Sequence, residues 1–121
     1  MIGHTLAWAI AIALIVVGLA AWLAPRATAS GFGVAAPDTA ALAYVRATGS
    51  RDFVLALILI VQIAEGVRVV LAWSLALAAL VAAADLAVVI GTPGGRRSAG
   101  WIHGSGIVVL LVAAACVATG R

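Results

Sequence analysis

Tyr44-Val45-Arg46-Ala47-Thr48-Gly49-Ser50-Arg51-Asp52 sets two guanidinium groups and a carboxylate directly ahead of the most apolar run of the chain, residues 53–63. Almost everything around it is hydrocarbon. A charge at the centre of a membrane helix costs roughly 2.5–3.5 kcal/mol on insertion scales, so charges kept at that depth pair, face inward and mark working sites. The apolar runs therefore set the architecture, and the few charges between them point to the function.

Of the 121 residues, 66% are hydrophobic and 9% charged. Soluble domains carry about 25% charged residues, so this composition belongs to an integral membrane protein. Every basic residue is an arginine (26, 46, 51, 68, 96, 97 and 121), and the acids are Asp38, Asp52, Glu65 and Asp85. Such a basic balance also occurs in nucleic-acid binders. Here, however, arginines sit in short loops and at the C-terminal end, where positive charge sets membrane topology, so the expected partner is the lipid bilayer and not nucleic acid. Cys116 is the single cysteine, so an intrachain disulfide is excluded, and its alanine-rich surroundings read as those of a buried structural thiol.

Outward from the opening stretch, the apolar runs divide into spans. Residues 5–24 hold twenty positions without a charge and end at Pro25, matching the ~20 residues that cross a ~30 Å hydrocarbon layer. The run is too long for a secretory signal, and no Arg or Lys precedes it. Residues 25–37, with two prolines, Gly31 and Gly33, read as a surface or re-entrant loop from which Phe32 dips into the interface. Asp38 has the look of an N-cap for a short interfacial helix over 39–48, which Gly49 ends or kinks, and helix two is then short unless residues 39–50 extend it into the membrane. The apolar residues between 51 and 90 are too many for one span and enough for two, broken by a turn at Glu65-Gly66-Val67-Arg68. The stretch from Gly91 to Arg97 is a strong break and a basic loop. The fold class is thus all-α, a single domain over 1–121. It is a four-transmembrane-helix bundle with helices at about 5–24, 51–65, 69–90 and 99–119, and the short helix at about 39–48 between helices one and two.

Trp8 and Trp73 fall toward one face of the membrane and Trp22 and Trp101 toward the other, as an aromatic belt requires. Arg26, Arg96 and Arg97, with Arg46 and Arg51 close by, outnumber Arg68 and Arg121 on the opposite side. The positive-inside rule then puts loops one and three in the cytoplasm and both termini outside the cell membrane.

These spans bring scattered charges to one level. Asp52 begins helix two, Asp85 lies about a turn and a half before the end of helix three, and His103 lies about one turn into helix four. Asp85 would sit on the order of 8 Å inside its helix end. Ser74, Ala78, Ala82 and Asp85 repeat at helical spacing as one stripe expected to face the bundle, and Arg51, Leu55, Ile58, Gln62 and Glu65 form another. Gly100 and Gly104 make a Gly-x-x-x-Gly close-contact face beside His103.

Asp52, Asp85 and His103 are accordingly the candidate catalytic residues, with Arg46, Arg51, Tyr44 and Trp101 as candidate substrate-binding residues. Carboxyl groups in low-dielectric surroundings resist ionisation unless a guanidinium offsets it, so two placed unequally near one arginine supply an acid and a base. Histidine adds a proton shuttle. The set suits isomerisation, epoxide opening or cyclisation of a lipophilic small molecule arriving from the bilayer. The structural counterparts are a charge pair capping helix two at Arg51-Asp52, an Asp85 clamped by an arginine to fix helix packing, and an interfacial His103. Glu65 and Arg68 read as caps of their turn, with a proton path from Glu65 through Gln62 to Asp85 as the functional counterpart. A metal site is not expected, because His4 and His103 belong to opposite membrane sides. No cofactor is expected either.

The pattern Tyr44-x-Arg46-x-x-Gly49-x-Arg51-Asp52 after a Gly-Phe-Gly loop, an arginine-containing turn, one Asp near the end of helix three and His103-Gly104 at the start of helix four resemble domain of unknown function 4267. That family comprises small four-helix membrane proteins, and the likeness runs from about Gly31 to Gly104. It implies a four-helix membrane bundle, broadly like the DoxX-type bundles, with Arg46, Arg51, Asp52, Asp85 and His103 as the aligned features, and it implies no activity. Beside an enzyme stand two other classes: a small proton-coupled transporter working as a homo-oligomer, with Asp85 or Glu65 as proton carrier, and a non-catalytic membrane partner subunit with Gly and Ala assembly faces.

Overall fold

A computed structural model of the chain describes residues 1–92 and 100–121. Its regular structure among those residues is helical: α1 Ile2–Leu23, α2 Pro25–Gly31, α3 Thr39–Glu65, α4 Arg68–Gly91 and α5 Gly100–Thr119. α1 runs without an Asp, Glu, Lys or Arg until Pro25 forces Ala24 out of helical geometry, at φ −135° and ψ 59°. Pro25 then opens α2, where its missing N–H is no loss. Asp38 caps α3 as its sequence position suggests, accepting a hydrogen bond from the Ala41 N–H at 2.8 Å. At the far end Gly66 takes the left-handed conformation, φ 69°, and Val67 N–H reaches back to the Gln62 carbonyl at 3.3 Å. This close lets α4 start two residues later.

α1, α3, α4 and α5 are long and apolar enough to cross a membrane. Large side chains such as Val16, Leu19, Val61, Leu80, Val108 and Val112 point outward on all four. A water-soluble monomer rarely leaves that much contiguous hydrocarbon uncovered. The protein is therefore a small multi-pass membrane protein. Trp8, Trp22, Trp73 and Trp101 are exposed near helix ends, as the aromatic belt requires. The N-terminus meets the C-terminus through a 2.9 Å bond from Gly3 N–H to the Arg121 carbonyl, and Arg68 donates to the Val117 carbonyl at 3.4 Å. Both ends and the α3–α4 turn thus share one side of the bundle.

Three expectations are corrected here. A short helix does stand between the first two spans, but it occupies Pro25–Gly31, in what reads from sequence as a loop. Residues 39–48 are instead the first turns of α3, whose 27 residues run about 40 Å, longer than the hydrocarbon layer. Gly49 does not end or kink a helix because it serves a contact: a methyl group there would fall 2.5 Å from Ala21 Cβ and 2.8 Å from the Gly18 carbonyl oxygen. Gly18 faces it reciprocally: a methyl there would fall 2.8 Å from the Gly49 carbonyl oxygen. Two glycines meeting across a helix pair let backbones touch in a setting where packing drives association. Among the described residues the expected close face at Gly100 and Gly104 finds no close contact. A methyl at Gly104 meets nothing within 4 Å, and one at Gly100 meets Leu86 Cδ1 at 3.8 Å.

α1 packs mainly on α3 and α4 mainly on α5; the two pairs join more loosely through α1–α5 and α3–α4. On the side of the termini they close into a core that includes Ala7, Ala11, Leu59, Leu71, Leu75, Ala113 and Val117. On the other side they splay. Cys116, expected buried, is half-buried at the margin of that core. The basic loop at Arg96 and Arg97 lies outside the described residues.

Gly49→Ala should lower the unfolding midpoint in detergent, by about 1–3 kcal/mol of overpacking, despite the ~1 kcal/mol that alanine gains over glycine in helix propensity. Gly104→Ala is the matched control. It should leave the midpoint unchanged or raise it.

Candidate functional site

Where the helix pairs splay, a cleft of about 680 Å³ opens between them. Its walls are hydrocarbon from all four spans, including Leu14, Val17, Leu55, Val81, Ala82 and Val109, and its polar atoms gather at one level. Leu110 and Ala78 belong both to the cleft lining and to the packed core, so the core closes the cleft beneath.

Asp52 lies on the inward face of α3 with Gly49, Ala56, Leu59 and Ile63, and is 8% exposed. It stands at the middle of α3, not at the start of a helix as the sequence reading has it, because the helix begins at Thr39. Arg51 is its neighbour, and adjacent residues on a helix do not face one another. The arginine side chain bends across to close the gap. Its Nε and Nη2 each donate to Asp52 Oδ1 at 3.2 Å, while Nη1 and Nη2 donate to Asp85 Oδ1 and Oδ2 at 3.3 and 2.8 Å. A planar guanidinium has five N–H donors in a fixed fork, and these four bonds engage four of them. The Arg51–Asp85 pair therefore spans the loosely packed α3–α4 junction. Ala78, Ala82 and Asp85 do turn inward together at the cleft, while Ser74 is half-buried outside its lining. The α3 stripe does not hold as expected: Leu55 lines the cleft, but Ile58 is 45% exposed and Glu65 lies on the surface.

His103 enters from α5. Its ring lines the cleft and stacks obliquely on Phe32, centroids 5.6 Å apart, and its Nε2 is shielded without a hydrogen-bond partner among the described residues. Phe32 follows α2, so the segment after Pro25 folds over the cleft and does not merely dip into the interface. Tyr44 stands 78% exposed at the rim.

The structure thus brings together Asp52, Asp85, His103 and Arg51, with Tyr44 at the edge. It does not bring Arg46 or Trp101 to them. Arg46 is half-buried outside the cleft lining, its side chain unpaired among the described residues, and Trp101 is 83% exposed away from the cleft. Thr48 lines the cleft unannounced, although its position four residues before Asp52 puts it on the same helical face. Phe32 carried no such signal, since a contact across chain segments leaves no trace in local spacing. At the opposite end, Gln62 and Glu65 lie across the core that holds Leu59, Leu75 and Ala78 from Asp85.

A family model described as a domain of unknown function, DUF4267, matches residues 11–117. No curated protein and no solved structure matches the chain.

A double-mutant cycle tests the bridge. Arg51→Met alone leaves buried Asp52 and half-exposed Asp85 without their counter-charge and should cost about 1–3 kcal/mol, below the ~3–5 kcal/mol of a fully buried pair. Arg51→Met with Asp85→Leu should cost less than the sum of the single changes, by about 1 kcal/mol or more. Additive losses in detergent unfolding would mean that the two side chains are not coupled.

Proposed function

The chain belongs to the DUF4267 family, whose description names no activity, and from its own residues we propose an integral membrane enzyme that carries out acid/base chemistry on a lipophilic small molecule, an isomerisation, epoxide opening or cyclisation. The observation that carries this reading is the unequal sharing of Arg51. Asp85 has both oxygens held by the guanidinium, whereas Asp52, which lines the apolar cleft, has only Oδ1 engaged and keeps Oδ2 without a partner among the described residues. General acid/base work needs a positioned group with an open valence, about 2.6–3.2 Å from the proton it moves. Asp52 offers such an atom in Oδ2, and His103, whose shielded Nε2 has no partner among the described residues, lines the same cleft. An imidazole either gives or accepts a proton at that nitrogen, according to its tautomer. Arg51 and Asp85 in this scheme position Asp52 and do not themselves move the proton.

The closure of the cleft by the core favours chemistry over transport. A substrate from the bilayer reaches the polar floor and leaves by the same opening, whereas a path across the membrane would have to break the packing around Leu59, Leu75 and Ala113.

Purified protein in lipid nanodiscs, incubated with lipophilic epoxides and unsaturated alcohols in isotopically labelled water, should place the label in product. Asp52→Asn should lower that rate about a hundredfold or more while keeping its unfolding midpoint. Label incorporation unaffected by Asp52→Asn, or proton flux in proteoliposomes without any product, would contradict the proposal.

A further inference from the structure

The bonding at the cleft floor also bears on what sort of polar group a ligand must carry. A fatty acid or other anionic lipid would need hydrogen-bond donors, and with His103 Nε2 shielded and Tyr44 out at the rim the charged one beside Asp52 is Arg51. Four of its five N–H donors are already taken by Asp52 and Asp85. A bidentate grip on a third carboxylate is therefore closed to it. What the floor offers instead is acceptor capacity, at the free Oδ2 of Asp52. Two carboxylates around one guanidinium also leave an excess of negative charge, in surroundings where unscreened charge acts strongly. The walls above are hydrocarbon, and a volume near 680 Å³ lies in the range of pockets that enclose drug-sized molecules.

We infer that the cleft takes a lipophile bearing a hydrogen-bond donor, an alcohol or an amine, and discriminates against fatty acids and other anionic lipids. The inference rests on the reading of the cleft as a lipophile site and narrows it. An epoxide qualifies as substrate when it carries a hydroxyl or amino group besides. The donor hydrogen goes to Asp52 Oδ2, and the apolar tail lies along Leu55, Val81 and Val109.

The test is a series of probes that share one tail. Tritiated farnesol is bound to the full chain in phosphatidylcholine nanodiscs and displaced by farnesylamine, by farnesyl methyl ether, which lacks the donor, and by farnesoic acid. Farnesylamine should displace at concentrations comparable to unlabelled farnesol. The ether and the acid should each require about tenfold more or higher, the loss expected when a hydrogen bond to a charged group is forfeited. Asp52→Asn should narrow the gap between amine and ether, and if that variant does not fold, the wild-type series decides alone. An ether as effective as the alcohol, or an acid that displaces as well or better, overturns the inference while leaving the cleft as a lipophile site. Absence of saturable farnesol binding overturns both.

Discussion

One guanidinium holding two carboxylates at membrane depth is the constraint on which the rest of the bundle turns. Unpaired, each of the three charges would cost several kcal/mol in hydrocarbon surroundings. Paired, Arg51 and Asp85 also fasten α3 to α4, at a junction where little else does. The pairing is not symmetrical, and the asymmetry is what makes the cluster a site as well as a clamp. Asp85 is held at both oxygens, whereas Asp52, the more buried of the two acids, is held at one. A buried ion pair that served packing alone would gain by satisfying every oxygen.

The clamp works because the remaining hydrocarbon is divided unevenly along the bundle. Gly18 and Gly49 bring α1 and α3 into backbone contact, and α4 packs in the same intimate way on α5. Alanines and leucines then fill the space between the pairs on the side of the termini. On the other side the pairs diverge, and α2 with Phe32 covers part of the opening rather than filling it. The outcome is a blind cleft with its polar groups near the level at which the core begins.

Much of this was legible in the sequence, since hydropathy and length fix spans when every backbone group must be satisfied within its own helix. The four long helices, the N-cap at Asp38, the tight turn at Gly66 and the inward stripe ending at Asp85 follow from local spacing. So does the convergence of Asp52, Asp85, Arg51 and His103 on one side, once the spans alternate in direction. What local spacing does not carry is how helices meet. Gly49 reads as a breaker unless one knows that Gly18 lies against it, and the length of α3 followed from that error. Gly100 and Gly104 have the motif of a contact and no close partner among the described residues. Arg46 and Trp101 share the level of the site but point elsewhere. The rotation of a helix about its axis is settled by its neighbours, and a strip of apolar residues says little about it.

The central claim is that Arg51 bridges both aspartates inside the bilayer, and solid-state NMR on the lipid-reconstituted protein addresses it most directly. With labelled arginine side-chain nitrogens and labelled aspartate carboxyl carbons, the account predicts through-space correlations from the Arg51 guanidinium to the carboxyl carbons of both Asp52 and Asp85. An Asp85 carboxyl that correlates with water or lipid and not with Arg51 would contradict it.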